Sequence, residues 1–483
     1  MSETLVSPSV LERARLSRDS RFDGRFFVGV KTTGIYCRPI CPVRLPRSEN
    51  VLFFPSAAAA QQDGYRPCLR CRPEVAPGSP AWRGTSAVVS RGLRLISEGA
   101  MDCGNTDKLA ICLGVSGRHL RRLFQQHLGA SPAAVARTRR IHFAKQLLDQ
   151  TNLSMAEIAF SSGFGSLRRF NSTIRELYGR SPSHLRSPMQ GRHTNLDEGL
   201  SLRVPYRSPL DWGTLLGFLS PRAIPGVEHV DLALGTYART IELEGVAGRI
   251  EVQDRKESSC LQLTIVHPLT AAIQLIVERT RNLFDLFADP HEIGALLGRS
   301  SILRESVERL PGLRLPGAWD PFEMTVRAIL GQQITVAAAT TLAGRIVDRL
   351  GRKLATNGHL THLFPPPAVL ARASSQNLGM PAARADTIQA LARAIVENKL
   401  DFRAAPEEVR RQLGSIRGIG PWTVEYVGMR VLGDPDAFPS TDLGVIKAIR
   451  KITSTSADAA LLAEQWRPWR AYAVMHLWHS LTQ

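Results

Sequence analysis

No stretch of the 483-residue chain approaches the roughly 20 apolar residues that a membrane span requires, and the N-terminus MSETLVSPSVLERARL lacks the apolar core of a secretory signal. A cytoplasmic location with no membrane partner is the expectation. Cysteine is scarce, with seven residues and none beyond Cys260. In a reducing compartment that number is poor evidence for disulfides, so a tight cluster among the seven points to metal or catalysis. Acidic residues are the minority charge, 43 against 61 basic ones, for a formal net charge of +18. The surplus is uneven: residues 1–190 hold 28 Lys and Arg against 13 Asp and Glu, whereas residues 191–483 hold 33 against 30. A basic N-terminal part favours a polyanionic partner through counterion release, although charge alone does not separate DNA from RNA or an acidic membrane. The length is too great for one compact core and suits three or four domains.

The cysteines that do occur are concentrated. Cys37 and Cys41 lie in Gly34-Ile-Tyr-Cys37-Arg-Pro-Ile-Cys41-Pro, and Cys68 and Cys71 in Arg66-Pro-Cys68-Leu-Arg-Cys71-Arg, 27 residues further on. Two short-spaced pairs suit tetrahedral Zn²⁺, whose four thiolates come from two close-set knuckles that the fold brings together. The lone Cys103 and Cys112 have no partner in the pattern and read as small core or surface residues. The text around the quartet, from Arg25-Phe-Phe-Val-Gly-Val-Lys to Gly64-Tyr-Arg-Pro-Cys68, resembles the N-terminal domain of the Ada alkylation-response proteins. That resemblance implies that Cys37 accepts a methyl group from a methylated DNA phosphate, once per copy. Zinc keeps its ligands deprotonated, so Cys37 would be a thiolate nucleophile. Four thiolates on one Zn²⁺ carry −2, and methylating one leaves −1. Beside a phosphate a few ångströms away, the lost repulsion is worth on the order of 1 to 4 kcal/mol, enough to turn damage into a transcriptional signal. A zinc knuckle that only folds its domain is the alternative.

Between residues 85 and 188 the sequence nearly repeats. Leu128-Gly-Ala-Ser-Pro132 recurs fifty residues on as Tyr178-Gly-Arg-Ser-Pro182, and Leu109-Ala110 with Gly114 recurs as Ile158-Ala159 with Gly163. Each copy reads as a short helix, a turn at glycine and a basic amphipathic helix, Ser116 to Phe124 and Ser166 to Ile174. The pair resembles an AraC-type double helix-turn-helix. The resemblance implies major-groove contacts from Arg118, His119, Arg121 and Arg122 in one unit and Arg168, Arg169 and Asn171 in the other. Leu120, Leu123, Phe124 and Phe170 are expected in the core. Any single arginine is also consistent with plain solvated surface. RNA polymerase is a further candidate partner of such a regulator. The polar, aperiodic segment Ser187-Pro-Met-Gln-Gly-Arg-His-Thr-Asn reads as a linker.

Beyond it, alternating segments such as Tyr237-Ala-Arg-Thr-Ile-Glu-Leu and Cys260-Leu-Gln-Leu-Thr-Ile-Val suggest antiparallel strands, after which helical periodicity dominates. The most informative stretch is Leu413-Gly-Ser-Ile-Arg-Gly418-Ile419-Gly420-Pro421-Trp422-Thr423, with Asp442 twenty residues after Trp422. A Gly-Ile-Gly turn between apolar helices lets backbone amides approach a phosphate, because glycine has no Cβ and tolerates positive φ. Gly418 and Gly420 are the candidate backbone grips.

The hairpin and aspartate resemble the helix-hairpin-helix DNA glycosylases. The match to the AlkA-type 3-methyladenine glycosylases runs from Leu210-Asp-Trp-Gly-Thr-Leu-Leu-Gly-Phe218 through Arg327-Ala-Ile-Leu-Gly-Gln-Gln333 and Leu378-Gly-Met-Pro to Trp466-Arg-Pro-Trp-Arg-Ala-Tyr-Ala-Val-Met-His-Leu-Trp478. Where some members carry a Schiff-base lysine, Trp422 stands here, which implies a monofunctional hydrolase that leaves an abasic site. With no cysteine after Cys260, no iron-sulfur cluster is expected. No Pro-Cys-His-Arg stretch occurs, so the guanine-methyltransferase domain of some Ada proteins is not expected either. The resemblance puts Phe218, Trp422, Tyr426 and Trp478 in the base pocket, where ring quadrupoles attract a cationic alkylated purine by about 0.5 to 2 kcal/mol. Taken alone, Phe218 is more simply a core residue, and Trp466 and Trp469 read as packing. Because the charged base leaves without a proton donor, one carboxylate suffices: Asp442 would stabilise the oxocarbenium-like sugar or orient water. Asp442 also precedes Leu-Gly-Val-Ile-Lys, so it reads equally as a helix N-cap, and both can hold. Where a leucine wedges the duplex in a well-known member, Gln333 is found, with Ile334 beside it.

The expected architecture is multidomain and mainly α with α+β parts: a four-cysteine zinc α/β domain over 1–80, a double helix-turn-helix over 85–188, a linker over 189–200, a small antiparallel-sheet domain over 201–300 and a helix-hairpin-helix glycosylase domain over 301–483. The expected function is a methyl-phosphotriester-sensing activator joined to a DNA-3-methyladenine glycosylase II. The alternative keeps the regulator and makes the second half a non-catalytic damage-binding module.

Overall fold

The computed structural model describes residues 7–77, 87–102, 104–186, 199–355, 358–374, 379–454 and 458–481. Nearly all of the expected linker, together with Cys103 and Leu378, lies outside the described residues. The described chain is mainly helical with small sheets and falls into two compact units. One comprises 1–207, 258–278 and 286–288, and the other 208–257, 279–285 and 289–483.

In the first unit, strands Val51–Phe54, Phe27–Val30, Ile35–Cys37 and Arg66–Pro67 lie side by side in that order. Phe27 to Val30 pairs antiparallel with both neighbours, and Gly34, at φ 61°, closes the hairpin to Ile35. The short strand Arg66–Pro67 instead runs parallel to Ile35–Cys37, and its continuation places the Cys68 N–H on the Tyr36 carbonyl at 3.0 Å. That one pairing brings the second cysteine pair to the first. Ser56 caps helix Ala57–Gln62, whose alanines pack with Phe27, Tyr36 and Tyr65.

The repeat seen in sequence is a repeat in structure. Helices Thr106–Cys112 and Gly117–Leu128 are matched by Met155–Ser161 and Leu167–Tyr178, with turns at Gly114 (φ 69°) and Gly163 (φ 80°). Ser116 and Ser166 cap the second helix of each pair, and Gly129 and Gly179 end them in the left-handed conformation. The 19-residue helix Pro132–Gln150 joins the two pairs. It is also the platform for the zinc-type sheet. Gln61 donates to the Tyr36 hydroxyl (2.8 Å), Tyr36 lies 2.9 Å from His142 Nε2, and Thr138 donates to Gln61 (2.9 Å). Nearby, Arg72 pairs with Asp149, and Lys145 pairs with Asp149.

With Gln61 donating to its oxygen, Tyr36 turns its own proton to His142 Nε2, so a protonated imidazole would set two donors face to face. Burial depresses the His142 pKa to about 4 from its ordinary 6.5. The unfolded chain therefore takes up the proton first as pH falls. Stability of this unit is unaffected by His142 above pH 6.5 and declines between 6.5 and 4, by on the order of 3 kcal/mol over that window. Urea unfolding at stepped pH should show His142→Gln with a visibly shallower acid decline than the wild type.

Strands Leu200–Pro205 and Cys260–Val266 pair antiparallel in this unit. Side chains tie this part of the chain to the helices: Gln146 donates to the Arg203 carbonyl (2.8 Å), Gln150 accepts the Arg203 N–H (2.8 Å), and Gln274 donates to the Ser97 carbonyl (3.1 Å).

The second unit contains the antiparallel strands Glu228–Asp231, Thr236–Leu243 and Val246–Arg255 and a helical body. Its main core gathers Val326, Ile329, Leu330, Ile346, Leu391, Leu413 and Val427 from helices Pro321–Leu330, Val336–Leu350, Ala382–Val396, Pro406–Gly414 and Pro421–Arg430. Beside it, helices Leu443–Thr453 and Arg470–His479 pack on each other. Trp466 and Trp469 are buried, as their sequence context predicts.

Candidate metal centre, DNA-facing helices and active site

The ligand sulfurs of Cys37, Cys41, Cys68 and Cys71 all lie within 4.8 Å of one another, and all four residues are buried. Tetrahedral thiolates at about 2.3 Å from Zn²⁺ stand about 3.8 Å apart, so the donor set and spacing fit that ion. Contacts with Cys41, Cys68 and Cys71, followed by burial, push the Cys37 thiol up, whereas contact with Cys37 first holds Cys68 down. Four sulfurs this close and this dry hold protons among themselves unless a positive ion replaces them. Arg38 spans the two knuckles: its N–H reaches Cys71 Sγ at 3.3 Å and its side chain donates to the Cys71 carbonyl at 3.1 Å. Asp23 pairs with the same guanidinium. Burial does not distinguish Cys37 from its three companions, which are 6 to 8% exposed against its 7%. Cys112 is exposed, consistent with a surface residue.

On the two second helices, Leu120, Leu123, Phe124 and Phe170 are buried, as amphipathic periodicity requires. Arg118, Arg121, Arg122, Arg168 and Arg169 are exposed, and His119 and Asn171 are half-buried. Arg121 is held at 3.3 Å by Asp107, and Arg122 leans on His119 at 3.2 Å. The basic faces are thus presented to solvent, with only weak internal ties.

In the second unit a cavity of about 1120 Å³ is lined by Asp442, Trp422, Tyr426 and Trp478 among others. Asp442 is 8% exposed and is the N-cap of helix Leu443–Thr453, accepting the Val445 N–H at 2.8 Å. The same carboxylate accepts two indole N–H groups, from Trp422 at 2.8 Å and from Trp478 at 2.9 Å. Asp442 is thus a cap that also lines the cavity, and three donors fix its orientation. Trp422 and Tyr426, one helical turn apart, stack at 5.2 Å, and Tyr426 lies 6.2 Å from Trp478. Phe218 stacks beside Trp478 at 6.2 Å and 14°, with the Arg222 guanidinium 3.8 Å above its ring. Its neighbours Leu219 and Arg222 line the cavity.

The hairpin glycines serve different ends. Gly418 has φ 92°, and a Cβ there would fall 2.0 Å from Thr387 Oγ1, so only glycine fits. Gly420 is extended (φ −94°), so positive φ is not its reason; a Cβ there would meet nothing within 4 Å. It stands open at the start of helix Pro421–Arg430, which no side chain caps. Gln332, rather than Gln333, ties the hairpin down, donating to the Gly418 carbonyl (3.0 Å) and to Thr423 Oγ1 (2.9 Å). Gln333 is exposed and left-handed at φ 57°, and it lines the cavity.

Sequence reasoning missed the cavity's inner wall. Glu228, Arg239, Glu323 and Arg327 form a buried alternating ion network there, in which Tyr237 donates to Glu228 at 2.6 Å and Arg239 to Glu323 at 2.7 Å. The flanking arginines hold Glu228 down at about 2 against burial, which pushes the other way. Gly444 was also missed, although a glycine inside the first turn of a helix is a readable anomaly. A Cβ on it would lie 3.0 Å from Asp442 Oδ1 and 3.1 to 3.2 Å from the Trp478 indole. Gly444→Ala is expected to push Trp478 off the carboxylate. Base release should fall by about tenfold or more, the effect of losing one oriented hydrogen bond, while the melting temperature holds.

Four family models match the chain: the metal binding domain of Ada over residues 11–74, a helix-turn-helix domain over 109–187, the AlkA N-terminal domain over 201–320 and the HhH-GPD superfamily of base excision DNA repair proteins over 326–471. The chain is 42% identical over 477 residues to a probable bifunctional transcriptional activator/DNA repair enzyme AlkA of Mycobacterium tuberculosis, covering 97% of this chain and 95% of that one. It is 35% identical over 280 residues to the DNA-3-methyladenine glycosylase 2 of Escherichia coli, 57% of this chain and 95% of the relative. The solved 3-methyladenine DNA-glycosylase of Archaeoglobus fulgidus superposes with a TM-score of 0.51 at 24% identity, over 57% of this chain and 96% of that one, a likeness of fold. With four domain types in order and such identity across nearly the full length of both chains, this protein belongs to the family of bifunctional transcriptional activator/DNA repair enzymes AlkA.

Proposed function

We propose that the protein senses methylated DNA phosphates through Cys37 and activates transcription, and that its second half excises alkylated purines, 3-methyladenine among them, as a monofunctional glycosylase. The single observation that supports the second activity is the Asp442 carboxylate pinned by two indole N–H groups at the wall of an aromatic cavity. A flipped base would stack on Trp422, Tyr426 and Trp478, and the carboxylate would face the sugar as positive charge develops at its anomeric carbon. Gly418, Gly420 and Gln333 would grip and wedge the duplex. The domain division over 1–80, 85–188, 201–300 and 301–483 follows these tasks. Incubation of the full-length protein with methylated duplex and quantification of free methylpurines tests the reading; no release from wild type would leave only a damage-binding module.

For the first activity, the support is the environment of the sulfurs. Cys71 accepts the Arg38 backbone N–H at 3.3 Å, and an N–H donor withdraws density from a thiolate, which makes Cys71 a poorer nucleophile. The choice of Cys37 among the other three follows the likeness of Gly34-Ile-Tyr-Cys37-Arg-Pro to the Ada family. Bound Zn²⁺ supplies the deprotonation. The Cys37 sulfur then forms a bond to the methyl carbon as the methyl–oxygen bond of the phosphotriester breaks, and the electron pair stays on oxygen as a phosphodiester anion. Arg118, His119, Arg121, Arg122, Arg168, Arg169 and Asn171 would read the promoter, and RNA polymerase would be recruited there.

A further inference from the structure

Five cations line the base cavity, and their partners differ. Arg239 and Arg327 are paired with Glu228 and Glu323. Arg430 bonds its three nitrogens to the Pro316 carbonyl, the Tyr426 hydroxyl and the Gly317 carbonyl. Lys447 is exposed to solvent. Arg222 is different. Among the described residues no carboxylate lies within salt-bridge distance of it, and its one side-chain hydrogen bond runs from Nη1 to the Phe218 carbonyl at 2.8 Å. Its place is nonetheless fixed: the guanidinium lies 3.8 Å over the Phe218 ring, and its own carbonyl accepts from Arg327 at 2.9 Å. Burial lowers its pKa to about 10, which still leaves it charged at neutral pH.

The cavity therefore offers two kinds of contact. Trp422 and Trp478 donate to a carboxylate, which enriches their rings and suits them to the cationic, alkylated part of a base. Phe218, next to Trp478, already carries a cation on its face, and that cation, Arg222, offers donors with no protein acceptor. Phe218 stacks beside Trp478 at 6.2 Å, so guanidinium and indole are no further apart than the sum of that distance and the 3.8 Å contact.

We propose that Arg222 is a specificity-determining residue of this pocket, donating a hydrogen bond to the exocyclic oxygen of an extruded alkylated guanine and so favouring guanine over adenine lesions. The guanidinium is a donor only, and guanine presents an acceptor at O6 where adenine presents the N6 amine. An adenine in that orientation leaves two donors facing each other, a mismatch that a site built for hydrogen bonding rejects. The inference rests on the glycosylase reading of the second unit.

Release of 7-methylguanine and 3-methyladenine from one methylated duplex, under single-turnover conditions with full-length protein, tests it. Arg222→Met keeps apolar packing over Phe218 but has no donor. It is expected to slow 7-methylguanine release by about tenfold or more while 3-methyladenine release changes less than about threefold, and Arg222→Lys should restore part of the guanine rate. Parallel loss of both bases, or no change in their ratio, overturns the assignment. If Arg222→Met lowers the melting temperature sharply, the ratio measured for Arg222→Leu, which also lacks a donor, decides in the same way. A wild type that releases neither base would overturn the glycosylase reading and this inference with it.

Discussion

Replacing Asp442 by Asn is expected to lower the single-turnover rate of methylpurine release by about 10³-fold or more, with duplex affinity and melting temperature close to wild type. Asparagine is as good an N-cap as aspartate, and its amide oxygen can still accept the Val445 N–H, so helix Leu443–Thr453 is retained. What disappears is the negative charge and one acceptor for the indoles. In the native site three N–H groups converge on one carboxylate, and they serve two ends at once. They offset its burial, and they fix its direction before any substrate arrives, so little reorganisation remains when the sugar gains positive charge. Losing the charge removes the stabilisation without unfolding its frame. A parallel loss of stability, or a rate within about tenfold of wild type, would show that Asp442 is only a cap.

The features legible in the sequence were those set by short spacing. Cys37 with Cys41 and Cys68 with Cys71 are knuckles whose geometry follows from four or three residues of chain, and the fifty-residue repeat carries its own caps at Ser116, Ser166, Gly129 and Gly179. Trp422 and Tyr426 came from the resemblance, and the structure sets them one turn apart on helix Pro421–Arg430. Contacts that join distant segments left no such trace. Nothing near Tyr36 announces His142, and nothing near Gln146 announces that it holds Arg203. That second contact is why Leu200–Pro205 keeps company with the helix-turn-helix elements. The cation on Phe218 is of the same kind: the resemblance singled out the ring, but nothing in it announced that Arg222, one turn later, covers that ring and lines the cavity. Glu323, Arg327, Arg239 and Glu228 come from one helix and two strands, and their alternation of sign exists only in three dimensions.

A protein that has taken a methyl group from methylated duplex should bind DNA more tightly than the unreacted protein, and Cys37→Ala should abolish both the methyl transfer and the gain. The electrostatic argument fixes the size. Removing one of two negative charges near a phosphate is worth on the order of 1 to 4 kcal/mol, a rise in affinity of about 5- to 10³-fold at low salt. Because the effect is repulsion of the DNA backbone, an unmodified duplex of arbitrary sequence suffices to read it, and the gain should shrink as added salt screens the charges. Mass spectrometry of the reacted protein should place one added methyl group on Cys37 and none on Cys41, Cys68 or Cys71. In Cys37→Ala three thiolates remain, a set that holds zinc with water in the fourth position, so metal content measured on the variant separates a lost nucleophile from a lost fold. Its methylpurine release is expected to match wild type, since Asp442 and its indole donors lie in the other compact unit. Methylation that appears on a different cysteine would move the acceptor. A methylated Cys37 with unchanged affinity would leave the quartet as a stabilising zinc knuckle and place the origin of any transcriptional response elsewhere.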